Sequence, residues 1–151
     1  MSTKYSDGPQ KPKSIGEFFD VATKVGAKGK SYFGYGYVSD EEAKRVKEAI
    51  GLDVYGAAHF INEQEIRHAM NRHGEQGEYR GGQESITKED IESIPEYIRT
   101  ADKISLEGIT RQGLPLIRYQ KRVNGHIVVI EEFRRGKRVL AFKTMWKYKA
   151  D

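Results

Sequence analysis

Apolar residues recur every three or four positions through the first two thirds of the chain, which is the spacing of amphipathic helices. Three of these stretches begin at a residue that caps helices, with an acidic residue three positions further on, at Ser39, Asn62 and Thr87. The pattern predicts helices over 14–25, 39–50, 62–73 and from 87 onward. Pro95 lacks an amide donor, so we expect the last helix to be short or broken near Ser93.

After Ala101 the apolar residues alternate with polar ones, which is the period of β-strands. Asn124 and Gly125 lie between two such runs and favour a tight hairpin. Strands are predicted over 103–106, 116–123, 126–134 and 138–148. The predicted fold class is therefore α+β, with N-terminal helices packed on a C-terminal antiparallel sheet of about four strands.

The last predicted strand and the glycine-rich segment 26–36 both carry aromatic residues. Strict alternation along the last strand places Phe142, Thr144 and Trp146 on one face, with the two aromatic side chains in the core and Thr144 at its margin. The segment 26–36 alternates glycine with aromatic residues, which is typical of an irregular stretch anchored to the core and, less often, of a base-stacking surface.

The composition suits one compact domain of 151 residues, of which 37% are apolar. No cysteine is present, which excludes disulfides and thiolate metal sites and fits either a reducing compartment or a small secreted effector. No apolar run approaches the ~18 residues of a membrane span, and we expect no secretory signal peptide. Residues 1–27 are predicted to form a flexible leader or short helix, and residues 28–151 a single domain.

The charge is unevenly distributed along a chain whose net charge is +4. Residues 111–149 contain eleven Lys or Arg and two acidic residues, whereas residues 61–102 contain five Lys or Arg and ten acidic residues. A basic half of this kind favours a polyanionic partner such as nucleic acid, although membranes and acidic proteins also bind basic patches.

The chemistry of the chain is concentrated in the stretch from His68 to Gly74, which ends a predicted helix and also contains Arg72 and His73. Imidazole exchanges protons near neutral pH, and a guanidinium can hold a phosphate through two hydrogen bonds. The two histidines are five residues apart, about 140° around a helix, so they are poorly placed to share a metal ion. We therefore expect acid–base chemistry without metal or other cofactor.

The predicted strands supply cations and aromatic rings that could face this helix end. Arg118, Arg122, Lys143 and Trp146 are candidates for binding phosphates and bases. RNA is the substrate that turns the whole set into a reaction, because its 2′-hydroxyl is an internal nucleophile. A base removes the 2′-proton, cations stabilise the phosphorane, and an acid protonates the leaving 5′-oxygen.

The order of segments from Leu52 to Lys149 resembles the phage-associated branch of the Barnase–EndoU–colicin–RelE superfold of ribonucleases. The matching pieces are Leu52–Gly56, Ile66–Gly74, Ile86–Ile91 with Ile94-Pro95, the hairpin, and Thr144–Trp146. The resemblance implies RNA bound across an open sheet face, with His68, Arg72 and His73 on the helix side and Tyr119, Lys121 and Thr144 on the strand side. Glu131 and Glu132 are adjacent, so one should point away, and a carboxylate base is less favoured than histidine.

The resemblance predicts a metal-independent endoribonuclease, toxin-like and phage-associated, whose partners would be RNA, with tRNA among the candidates, and an inhibitor or immunity protein. Its location would be the bacterial cytoplasm or the phage particle. Two alternatives share the fold: a non-catalytic nucleic-acid-binding domain, and an interaction domain that docks on a phage structural protein. We find no nicotinamide-binding pattern that would favour an ADP-ribosyl transferase.

Overall fold

The structure is a computed structural model that describes residues 11–74 and 83–149. Its helices are α1 (Ile15–Ala22), α2 (Asp40–Ile50), α3 (Glu63–His73), α4 (Lys88–Glu92) and α5 (Ile94–Arg99). Its strands are β1 (Tyr32–Tyr37), β2 (Ala58–Asn62), β3 (Gln83–Glu84), β4 (Lys103–Ile109), β5 (Pro115–Arg122), β6 (Gly125–Arg134) and β7 (Val139–Lys149). The polar, glycine-rich residues 75–84 predict a loop, of which residues 75–82 lie outside the described residues.

The predicted helix starts are confirmed. The side chains of Ser39, Asn62 and Thr87 each accept a hydrogen bond from the backbone amide three residues further on. These bonds satisfy amides that the first helical turn leaves without a partner. The helix predicted from residue 87 is broken at Ser93, which separates α4 from α5, and Pro95 lies in the first turn of α5, where its missing amide costs nothing.

Gly74 ends α3 as predicted, but its backbone is extended (φ −82°, ψ −169°) rather than left-handed. A glycine is still required there, because an added Cβ would lie 2.4 Å from the carbonyl oxygen of Met70. Close packing therefore selects glycine at this helix end. Gly51, at the end of α2, does adopt the left-handed conformation, with φ of 74°.

The sheet corrects the predicted strand count. Within the described residues it has seven strands, six of them in the order β1-β2-β7-β6-β5-β4 and the seventh, β3, also paired to β7; the β2–β7 pair is parallel. The C-terminal strands form the predicted antiparallel meander, and Asn124-Gly125 forms its hairpin with both residues at positive φ. The segment 26–36 was expected to be irregular, but its second half forms most of β1. This strand is held by pairing with β2, and β2 in turn pairs with β7, far along the chain.

The two faces of the sheet differ. The buried side chains of the helices cluster with one face, here called the inner face, which carries Ile117, Tyr119, Ile127, Val129, Phe133, Leu140, Phe142 and Met145. Residues opposite each other in an antiparallel pair share a face. The register therefore defines an outer face, which carries Arg118, Gln120, His126, Glu132, Thr144, Trp146 and Tyr148.

A β-bulge changes the predicted faces of the last strand. Ile130 pairs with Thr144 and Glu131 pairs with Phe142, so Lys143 is an extra residue without a partner in β6. An extra residue reverses the alternation beyond it. Phe142 is in the core as predicted, but Thr144 and Trp146 lie on the outer face. The prediction that Trp146 belongs to the core is wrong for this reason.

Candidate active site

Glu65 and His68 lie three residues apart on α3, a spacing that brings side chains together on one side of a helix. The Nδ1 atom of His68 is 3.4 Å from Oε1 of Glu65. The side chain of His68 is 64% exposed, whereas that of Glu65 is only 15% exposed. A half-enclosed carboxylate therefore contacts one nitrogen of an imidazole that is otherwise accessible to a substrate.

Lys143 completes this group from the neighbouring strand. Its Nζ atom is 3.3 Å from Oε2 of Glu65, the oxygen that does not contact His68. Helix α3 packs along β7 between the segments of that strand that pair with β2 and β3. The bulge takes Lys143 out of the regular alternation of β7 where α3 passes. We call Glu65, His68 and Lys143 the Glu65 cluster.

Arg118 and Trp146 form a second group on the outer face. The guanidinium carbon of Arg118, on β5, lies 5.5 Å from the ring centroid of Trp146, on β7, so the pair bridges over β6. Arg118 also donates to Oε1 of Glu107 at 3.1 Å and to Oε1 of Gln120 at 3.2 Å. A guanidinium stacked on an indole provides both charge and a flat surface, the two features that single-stranded nucleic acid uses.

The remaining candidates on α3 lie beside these groups. The ring of His73 is 5.9 Å from that of Trp146, and its Nδ1 atom is 3.2 Å from Oε1 of Gln83. Arg72 is exposed. Thr144 is half-buried on the outer face, next to Lys143 in the chain. The structure thus brings His68 to Lys143, and His73 to Trp146, along the same strand.

Two strand-side candidates are separated from the others. Tyr119 is 2% exposed and lies on the inner face, and Lys121 shares that face because it is two residues further along β5. Both are therefore on the opposite face from Thr144, with which the family resemblance grouped them as strand-side candidates. Strand alternation is the reason, since Arg118 and Arg122 point to the opposite side from Tyr119 and Lys121.

Tyr119 belongs to a buried polar network around Glu131, whose exposed fraction is 0%. The hydroxyls of Tyr119 and Tyr35 donate to the Glu131 carboxylate at 3.0 Å and 2.6 Å. His59 lies 2.8 Å from the same carboxylate through Nδ1 and 2.9 Å from Oε2 of Glu42 through Nε2. The network therefore ties α2, β1, β2 and β5 to the centre of β6.

The pKa values in this network follow from burial and from its charges. Burial by itself would lower the pKa of His59, but the charge and hydrogen bond of Glu131, with those of Glu42, raise it to about 10. His59 is thus an imidazolium that donates to two carboxylates. Burial, together with the Glu131 charge, raises the pKa of both tyrosines well above their usual value. The hydroxyls consequently stay protonated and act as donors.

Three residues of these groups, Glu42, Glu65 and His59, are not assigned to a site by any pattern in the sequence. Glu42 and Glu65 fit the pattern of helix-capping acids. The carboxylate of Glu42 nevertheless contacts His59, and that of Glu65 contacts His68 and Lys143. The spacing of Glu65 and His68 could have indicated their contact. No pattern in the sequence indicates the His59–Glu131 contact, because 72 residues separate the two.

Within 11–74 and 83–149, no three His, Asp or Glu side chains are grouped so that they could hold a metal ion. Among the helices in the same ranges, none combines the length and the apolar character needed to cross a membrane.

Comparison with known proteins gives one result. Residues 36–151 match the family described as phage-Barnase-EndoU-ColicinE5/D-RelE like nuclease3. Neither the curated proteins nor the solved structures contain a match. The matched range begins within β1 and covers the Glu65 cluster, the outer face and the buried network apart from Tyr35. With most of its length matched, the chain belongs to the phage-Barnase-EndoU-ColicinE5/D-RelE like nuclease3 family.

Proposed function

We propose that this protein is an endoribonuclease that cleaves RNA through attack by the 2′-hydroxyl and needs no metal ion. The observation that carries the proposal is the Glu65 cluster, in which one carboxylate holds an exposed imidazole and an ammonium on its two oxygens. A base oriented by a carboxylate, with a cation beside it, is what this reaction requires. The nuclease family of the chain supports the same chemistry.

Each group has a role in the proposed reaction. Glu65 orients the His68 ring through Nδ1, so that Nε2 takes the 2′-proton. The ammonium of Lys143 stabilises the charge that develops on the phosphorane. His73, five residues further along α3, donates a proton to the leaving 5′-oxygen. Thr144 donates its hydroxyl to a phosphate oxygen at the same point of β7.

The substrate strand would lie across the outer face of the sheet. Arg118 stacked on Trp146 offers a platform for a base and a charge for a phosphate, beside the ring of His73. Arg72 is exposed on α3 and can reach a neighbouring phosphate. Contacts of this kind favour single-stranded RNA, whose bases are available for stacking. We expect tRNA loops to be among the candidate substrates.

The biological setting follows the family. A phage-associated, toxin-like nuclease would act in the cytoplasm of the bacterial host or be carried on the phage particle. A cell that produces it would need an inhibitor or immunity protein. These partners are proposals that affinity capture with the wild-type chain would test.

The decisive experiment follows cleavage of a fluorescent single-stranded RNA in the presence of EDTA. We expect a 2′,3′-cyclic phosphate product and no cleavage of DNA of the same sequence, because DNA lacks the nucleophile. His68→Ala and Lys143→Ala should each slow cleavage by about a hundredfold or more, the usual contribution of a general base or of a charge-stabilising donor. Gln64→Ala, an exposed change on the same helix, is the matched control and should leave the rate unchanged.

The Arg118–Trp146 platform also favours a second function, since it would bind RNA whether or not cleavage follows. If the wild-type chain binds RNA but no variant or condition gives cleavage, the protein is a nucleic-acid-binding domain. Cleavage that persists in His68→Ala would refute the assigned site. Absence of RNA binding, with capture of a phage structural protein, would indicate an interaction domain.

A further inference from the structure

An open cavity of about 450 Å³ lies on the sheet away from the Glu65 cluster. Its lining comes from three adjacent strands and the residue before β4: Asp102, Lys103, Gln120, Arg122 and His126. Lys103 pairs with Gln120, and Arg122 pairs with His126, so the cross-strand register brings these four side chains together. The proposed reaction uses none of them.

The lining of the cavity has a net positive charge, because two cations, Lys103 and Arg122, accompany one carboxylate. Neither Lys103 nor Arg122 forms an ion pair with any residue in the described ranges. The one acidic group, Asp102, accepts the backbone N–H of Arg122 at 2.6 Å. That hydrogen bond, with the charges of Lys121 and Arg122, lowers the pKa of Asp102, so its carboxylate remains bound to the backbone as an anion. Two exposed cations are thus left for an anionic ligand.

Two further side chains provide polar groups of another kind. Gln120 accepts from Nε of Arg118 through its Oε1 atom, so its amide nitrogen is left as a donor. The imidazole of His126 offers a donor and an acceptor, as well as a flat ring. A set of two cations, an amide and an imidazole fits a phosphate joined to a sugar and base better than it fits a bare phosphate.

The cavity is connected to the proposed cleavage site. Gln120 accepts from Arg118, and Arg118 lies over Trp146, next to His73. Strands in a sheet are about 4.8 Å apart, so the side chains on β5 lie about 10 Å from those on β7. This distance is within reach of a single RNA strand that enters the cavity and continues over Trp146 to the Glu65 cluster.

We propose that this cavity is a second nucleotide-binding subsite, which takes the phosphate, sugar and base of an RNA nucleotide next to the scissile position. Lys103 and Arg122 bind the phosphate, while Gln120 and His126 contact the base or sugar. The inference rests on the proposed function for its substrate, and it adds a residue set that selects and anchors RNA without taking part in cleavage.

The test uses a 2′-O-methyl RNA oligonucleotide, which lacks the attacking hydroxyl and so reports binding alone. We expect Lys103→Gln/Arg122→Gln to weaken its binding by about tenfold or more, as for the loss of charge-assisted hydrogen bonds. The slope of log K against log salt should fall by about 1.4, since each contact to a single strand contributes about 0.7. Lys44→Gln/Lys47→Gln on α2 removes the same charge from exposed positions and should change neither quantity by a comparable amount.

Proton NMR of the His126 ring separates this proposal from the proposed catalysis. The ring signals of His126, assigned with His126→Gln, should shift on titration with the oligonucleotide in the wild type and equally in His68→Ala. If RNA is bound or cleaved, but the His126 signals do not move and the double variant binds as tightly as its control, the subsite is refuted. If cleavage is never observed while the signals shift, the subsite stands and the nuclease proposal fails.

Discussion

His59 is expected to stabilise the folded protein as an imidazolium, and pH therefore controls that contribution. Its pKa of about 10 lies above the 6.5 of an unperturbed histidine. A group whose pKa is raised by folding stabilises the native state fully below the unfolded value and loses that effect as the pH rises through the folded value. The free energy of unfolding should thus fall between about pH 6.5 and pH 10.

The size of this stabilisation follows from the difference between the folded and unfolded pKa values of His59. At about 1.36 kcal/mol per unit of pKa, the contribution is about 5 kcal/mol at pH 6 and about half of that near pH 8. Breaking a buried ion pair costs about 3–5 kcal/mol, which agrees in size. The Glu131 side chain has 0% exposure. If His59 loses its charge, the Glu131 carboxylate therefore loses its charged partner and has no access to water in exchange.

The perturbation is His59→Gln, measured by urea unfolding across this pH range. Trp146 is the only tryptophan and provides the fluorescence signal. We expect the variant to be several kcal/mol less stable than wild type at pH 6, and this difference to shrink towards pH 10. His126→Gln, on the outer face, is the matched control, with an expected change within about 0.5 kcal/mol. A wild type–variant difference that is independent of pH would refute the charged state of His59.

Three further outcomes are expected. Gly51→Ala should cost about 1 kcal/mol because φ is +74° there, whereas Gly136→Ala, whose added Cβ meets nothing within 4 Å, should cost much less in the same urea titration. Thr87→Ala should lower the free energy of unfolding by about 1 kcal/mol through loss of the capping bond to the amide of Asp90, and an unchanged urea midpoint would contradict the role of this cap. Arg118→Ala should weaken binding of single-stranded RNA and lower its salt slope by about 0.7, which a fluorescence titration at several salt concentrations would measure.

Local structure was largely determined by the sequence. A helix starts where a side chain can satisfy the amides of its first turn, so the caps at Ser39, Asn62 and Thr87 predicted their helices. The hairpin at Asn124 and Gly125 was predicted for a similar reason, since its positive φ angles restrict the residues that can form it. These interactions join residues a few positions apart, so the local sequence is sufficient to predict them.

The position of the site was only partly predictable. His68, Arg72 and His73 were identified because they cluster on one helix near its end. The contact of Lys143 with Glu65 depends on a bulge in β7 and on α3 passing along that strand, neither of which has a local signal. The bulge also moved Thr144 and Trp146 to the face opposite Phe142, because one extra residue reverses every position after it.

Tertiary structure alone decided the pairings between distant segments. β1 and β2 join a sheet whose other main strands lie more than forty residues away, and the parallel β2–β7 pair brings His59 to Glu131. The energy of such contacts depends on burial and on charges contributed from separate elements, and local periodicity describes neither. The sequence by itself therefore specified the helices, the hairpin and the family, while the assembled sheet determined which side chains lie on the outer face and which are buried in the core.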